Sequence, residues 1–133
     1  MTEPGAGTLQ LGEFALRVND LDRMATFYLE VVGLRMLTRS EGAVFLQVSA
    51  GVPGHPQLLV LFDRGITVSP EHSTVDHFAF IIPLDQYEHQ HRRLSGLGVA
   101  VRRKEFQDFH WRSLFFADPD GNTIEFVCYD PDV

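Results

Sequence analysis

This chain repeats itself, and that most constrains what it can fold into. Segment 13–18 reads EFALRV and segment 77–82 reads HFAFII, 64 positions later. A helix signal follows each. In the first half Asn19 or Asp20 can cap a helix whose apolar positions Leu21, Met24, Phe27, Tyr28 and Val31 recur at helical spacing. In the second half Pro83 opens a helix carrying Leu84, Tyr87, His91, Leu94 and Leu97 at the same spacing. Gly33 ends the first helix and Gly96 or Gly98 the second. Three strand-like runs come next in each half: 34–39, 43–49 and 57–63, then 99–104, 110–117 and 123–129. Turn residues separate them at Ser40-Glu41-Gly42, Val52-Pro53-Gly54 and Asp118-Pro119-Asp120-Gly121-Asn122. The order β-α-β-β-β therefore occurs twice, an α+β architecture. Residues 1–8 read as a loose tail, 9–63 as the first module, 64–74 as a linker and 75–130 as the second module, the two modules making one structural domain.

A four-stranded sheet with one helix has one covered face and one open face, and strand alternation sorts residues between them. Phe14, Leu16 and Val18 suit the helix-covered face of the first strand, as do Phe78, Phe80 and Ile82 on its counterpart and Ile124, Phe126 and Cys128 on the last. Glu13, Ala15 and Arg17 then point to the open side, as do His77, Ala79 and Ile81, and Thr123, Glu125 and Val127. Three ionisable side chains, Glu13, His77 and Glu125, thus fall on uncovered faces. Two such faces curled toward each other would enclose a cleft.

Composition removes several function classes. Eleven Lys+Arg against 18 Asp+Glu give a net charge of −7, a field that repels phosphate backbones, so nucleic acid is not an expected partner. The one cysteine, Cys128, excludes an intrachain disulfide and fits a reducing compartment. The longest apolar run, 58–62, is too short to cross a bilayer, and the first residues carry no secretion signal. The expected setting is cytoplasmic, with no membrane partner. No Gly-rich phosphate loop, CxxC pair or nucleophile elbow is present.

The stretches FALRVNDLDRMATFYLEVVGL (14–34), VDHFAFIIP (75–83) and RSLFFADPDGNTIEFV (112–127) resemble the vicinal oxygen chelate superfamily. It includes glyoxalase I, extradiol ring-cleaving dioxygenases, methylmalonyl-CoA epimerase, fosfomycin-resistance enzymes and metal-free bleomycin-resistance proteins. The resemblance spans about residues 9–130. It implies two βαβββ modules forming a U-shaped, partly closed mixed sheet, helices outside, around a divalent metal. It carries His77 and Glu125 onto ligand positions, with Glu13 where the family usually has His, sometimes Gln. Aligning TIEF (123–126) with QLLV (57–60) puts Leu59, which cannot bind metal, opposite Glu125; Gln57 could serve only in a different register.

One imidazole with two carboxylates is a harder set than the two-His-one-carboxylate arrangement of Fe(II) oxygenases. The metal that the resemblance implies would be Fe, Mn, Ni, Co or Zn, with Glu13 inclining the set toward Lewis-acid use. His110 is a candidate base, and Arg17 or Arg112 a holder of an anionic substrate group. Trp111, Phe109 and Phe116 would line an aromatic-accepting pocket, with His55 near its mouth. His91 is expected to pack against the sheet, His72 to lie in the linker and His89 on a helix surface, and Cys128 to be a core residue. The resemblance implies an enzyme acting on a small oxygen-bearing organic molecule. Ring cleavage is the first choice, because VDHFAF and RSLFF resemble the dioxygenases, and glyoxalase or epimerase chemistry comes next. The other class is a metal-free protein that sequesters a ligand. Unpaired sheet edges point to a homodimer.

Overall fold

A computed structural model describes residues 9–65 and 73–133. The expected tail at 1–8, most of the expected linker and His72 lie outside the described residues. The chain divides into two compact units, Met1–Thr67 and Val68–Val133.

The first unit runs β1 (Glu13–Val18), α1 (Leu21–Phe27), β2 (Arg35–Ser40), β3 (Ala43–Val52) and β4 (His55–Asp63). Asp20 caps α1 by accepting from the Arg23 backbone N–H at 3.1 Å. A π-helical turn, Tyr28–Val32, continues the helix until Gly33 stops it at φ 95°, a left-handed conformation that a Cβ would disfavour. The sheet order is β1-β4-β3-β2, with β1 parallel to β4 and the other pairs antiparallel. Met24, Tyr28, Leu46, Leu59 and Leu61 are fully buried, so the core lies between α1 and the sheet.

The second unit repeats this with β5 (His77–Ile81), a 3-10 turn (Leu84–Gln86), α2 (Tyr87–Gly96), β6 (Arg102–Phe106), β7 (Trp111–Ala117) and β8 (Thr123–Tyr129). Its sheet order is β5-β8-β7-β6, again with one parallel pair, β5 and β8. Both sheets are mixed, and the fold is α+β as expected. Strand positions agree with expectation; β3 and β4 extend further toward their shared Pro53-Gly54 turn, and β6 starts later, at Arg102. Leu84 and Leu97, expected on the buried helix stripe, stay exposed because they flank α2. The core of this unit holds Leu94, Leu114, Ile124 and an aromatic group in which Phe126 packs edge-on to Phe80 and Phe116.

The pentapeptide DPDGN is a tightly bonded turn delivering β8. Asp118 Oδ1 accepts from the backbone N–H groups of Asp120 and Asn122 at 3.0 and 2.9 Å, and Oδ2 from the Asn122 side chain at 2.8 Å. Gly121 takes φ 88°, which glycine adopts freely. The turn's carboxylate is therefore spent on donors within the turn, two backbone and one side-chain, and fixes where β8 begins.

Candidate functional site

The second unit brings together His77, Glu125, Ser113 and Asp76. Parallel pairing sets His77 beside Thr123 and Ala79 beside Glu125. Antiparallel pairing sets Ser113 beside Val127 and Phe115 beside Glu125. These neighbours share one face by alternation. On that face Ser113 Oγ donates to Glu125 Oε2 at 2.5 Å, and Glu125 Oε1 lies 3.1 Å from His77 Nε2. His77 Nδ1 is 2.7 Å from Asp76 Oδ2, and the His77 ring stands edge-on to Phe115 at 5.9 Å.

Glu125, expected on the open face of its sheet, is buried, 5% exposed. The reason is its strand: β8 lies between β5 and β7, so His77, Ser113 and Phe115 close over it. A buried carboxylate requires charged or hydrogen-bonding partners, and Ser113 and His77 provide them. With Nδ1–H donated to Asp76, His77 Nε2 has two states compatible with a carboxylate 3.1 Å away. It either carries a second proton toward Oε1 or directs its lone pair at a shared cation. Two ligands at about 2.0–2.2 Å on adjacent corners of a metal's shell lie about 3 Å apart. The observed separation matches that spacing, and imidazole with carboxylate suits a first-row divalent ion, so the pair fits two metal ligands. Among the described residues no group of three His, Cys, Asp or Glu side chains is close enough to hold a metal ion.

The other expected site residues are distributed more widely. Glu13 opens β1 of the first unit and is exposed. It pairs with Leu58, as His77 pairs with Thr123, so the counterpart of Glu125 is Val60. The expected counterpart, Leu59, instead belongs to the helix-side core, and Gln57 bonds Ser49 and the Leu11 carbonyl. Both residues at that position are apolar, so the first unit offers no second glutamate. Arg17 is exposed at the far end of β1. His55 lines a shallow hollow of about 270 Å³ with Gln10, Leu11, Gly12, Gly51 and Val52, and its Nδ1 faces the Pro56 carbonyl.

Three assignments in the second unit are corrected. Phe116 does not line a pocket: it is 4% exposed and packs on Phe126 at 5.1 Å, because even-numbered β7 residues face the helix. Its neighbour Phe115 takes the site face instead, which alternation along β7 would have revealed. Arg112, also even-numbered, lies 4.3 Å over the buried Tyr87 ring and within 3.5–3.8 Å of Asp130, Glu105 and Glu88 carboxylates. It stitches α2 to the sheet and is not a substrate clamp. His110 is not beside the His77–Glu125 pair: it takes φ 57° before β7 and its Nδ1 meets the Val133 carbonyl at 2.6 Å. Trp111 and Phe109 remain exposed and stack at 4.8 Å, and Trp111 shares the face of Ser113 and Phe115. Ser113, buried and bonded to Glu125, escaped the sequence reading because a strand serine carries no spacing signal.

Among the described residues no helix is long and apolar enough to cross a membrane. Glutathione transferase FosA of Serratia marcescens is 28% identical over 116 residues, covering 86% of this chain and 77% of that protein. Catechol-2,3-dioxygenase of Bacillus subtilis is 29% identical over 126 residues, covering 91% of this chain but 42% of that enzyme. A solved glyoxalase/dioxygenase structure from Nostoc punctiforme superposes with a TM-score of 0.73 at 22% identity, covering 98% of this chain and 97% of that one, so the two share a fold. The family model described as Glyoxalase/Bleomycin resistance protein/Dioxygenase superfamily matches residues 10–126. With the paired β-α-β-β-β units and the His77–Glu125 centre, this match establishes that the chain belongs to the glyoxalase/bleomycin resistance protein/dioxygenase superfamily.

Proposed function

We propose that the chain is a metal-dependent enzyme acting on a small oxygen-bearing organic molecule, with His77 and Glu125 as ligands to the ion. The observation that carries this is the 3.1 Å approach of His77 Nε2 to Glu125 Oε1, with the remaining atom of each group already committed to Asp76 or Ser113. The two remaining atoms, Nε2 and Oε1, are thereby left facing each other. A divalent ion bound there supplies Lewis-acid stabilisation of negative charge developing on substrate oxygen. Asp76 holds the histidine in the tautomer that leaves Nε2 free, and Ser113 fixes the carboxylate rotation. Phe115 supplies an apolar wall beside His77. The likeness to the Serratia marcescens glutathione transferase favours addition to an electrophile as the first reading. Ring cleavage is the second reading, favoured by the likeness to the Bacillus subtilis dioxygenase. A homodimer acting on a free small molecule fits both.

The test is calorimetric titration of chelator-stripped protein with Mn²⁺ and Zn²⁺. His77→Ala and Glu125→Gln should each weaken binding at least tenfold, while His55→Ala leaves it unchanged. Unchanged affinity in both site variants, or no binding by the wild type, refutes the metal reading and leaves ligand sequestration. Catechol turnover with dissolved oxygen, set against glutathione consumption with electrophiles, then separates the two reaction types.

A further inference from the structure

Strand β6 carries four charged residues in a row, Arg102, Arg103, Lys104 and Glu105, and the sheet sorts them by parity. Arg103 faces the helix side, where it forms a double hydrogen bond with Glu88 at 2.8 and 2.9 Å, and Glu105 lies near Arg112 on that side. Arg102 and Lys104 face the other way, onto the face of His77 and Glu125. The register makes this explicit: Arg102 pairs with Phe115, which pairs with Glu125, and Lys104 pairs with Ser113. The Arg102 guanidinium lies 4.7 Å over the Phe115 ring and the Lys104 ammonium 4.8 Å over the Phe106 ring. Both residues are exposed, and among the described residues neither forms an ion pair with a carboxylate.

A cation resting on an aromatic ring is attracted to the ring face while its N–H groups stay available at the edge. Two such cations two residues apart on one strand face repel each other, and an anion between them relieves that repulsion. This occurs in a chain of net charge −7, so the positive patch is local and belongs to the site face. Phe115 links it to the proposed metal pair, touching Arg102 on one side and the His77 ring on the other. Adjacent strands lie about 4.8 Å apart, so β6 and β8 are separated by about 10 Å, a span that a ring-sized molecule fills.

We infer that Arg102 and Lys104, seated on Phe115 and Phe106, form an oxyanion subsite that selects substrates bearing a carboxylate or phosphonate about one ring-width from the oxygens held at His77 and Glu125. The inference rests on the metal reading for the far end of the ligand, but the oxyanion contact is measurable without metal.

The probes are benzoate and phenylphosphonate, with phenol as the ring lacking an oxyanion. Binding to metal-stripped and Mn²⁺-loaded protein is followed by calorimetry. At least one oxyanion should bind tenfold or more tightly than phenol, and Arg102→Gln/Lys104→Gln should abolish that preference while leaving Mn²⁺ affinity unchanged. Arg103→Gln, whose guanidinium is occupied by Glu88 in the wild type, should retain it. Benzoate against phenylphosphonate distinguishes a carboxylate from a phosphonate ligand. Absence of any oxyanion preference, or its persistence in the double variant, overturns the inference. Loss of Mn²⁺ binding in neither His77→Ala nor Glu125→Gln overturns the metal reading instead and leaves the oxyanion result standing. Both cations are exposed, and thermal melts of each variant verify that the fold persists.

Discussion

Ser113→Ala removes one hydroxyl from the least solvated part of the site. Ser113 is 0% and Glu125 5% exposed, and the bond between them is 2.5 Å long. A hydrogen bond to a charged group is worth about 1.5–3 kcal/mol, and no water replaces the lost donor easily at such burial. Unfolding entropy of about 2.1 cal/mol/K per residue makes roughly 0.28 kcal/mol/K for a chain of this length, so Tm should fall by roughly 5–11 °C. The same hydroxyl fixes the rotation that points Oε1 at His77. Its loss should weaken Mn²⁺ binding by about 10–100-fold, the usual range for groups that orient a ligand. The assay pairs calorimetric melting of the metal-stripped protein with Mn²⁺ titration, for Ser113→Ala, Glu125→Gln and the double variant. In the Glu125→Gln background the carboxylate charge is gone, so removing the hydroxyl should cost less than half as much. A Tm within about 1 °C of wild type, or additive losses in the double variant, would refute the claim that Ser113 supports a buried charge.

Phe116→Ala should cost about 3–5 kcal/mol of stability in denaturant titrations, as expected of a core aromatic and not of a pocket wall. Gly51→Ala should destabilise strongly and lower the yield of refolded protein: Gly51 sits at φ +62°, and a Cβ there would meet the His55 carbonyl at 2.4 Å and the Gln57 nitrogen at 2.8 Å, both immovable backbone. Burial pushes the Tyr87 phenol above its ordinary value of 10.0, outweighing the opposing pull of Arg103 and Arg112. A raised folded value means the associated stability is whole below about pH 10 and is lost as pH rises through the folded value. Urea titrations at pH 8 and pH 10.5 should show that loss, and Tyr87→Phe should shrink it while forfeiting the bond from Tyr87 Oη to the Ser113 carbonyl. Burial likewise raises the Cys128 thiol, so thiol reagents at pH 8 should modify the native protein far more slowly than the urea-unfolded chain.

Much of this architecture is carried by local sequence. The repeat at 13–18 and 77–82, the Asp20 cap, the left-handed Gly33 and the Asp118 turn each depend on short-range geometry, which neighbouring residues dictate almost alone. Alternation also placed His77 on the correct face of β5, since period two is a property of the strand itself. What sequence could not determine is how strands lie beside one another. The parallel register sets Val60 at the position of Glu125, a shift of one residue from the repeat alignment, and a one-residue shift exchanges the two faces of a sheet. The central place of β8 buries Glu125 beneath His77, Ser113 and Phe115, although its own segment gives no sign of it. Arg112 and Arg103 are claimed by Tyr87 and Glu88 from α2, while among the described residues Arg102 and Lys104 on the opposite face form no ion pair. Local patterning thus determined which elements form and which way their side chains point. Only tertiary pairing, which joins residues far apart in the chain, decided which of those side chains meet and which charges remain available to a ligand.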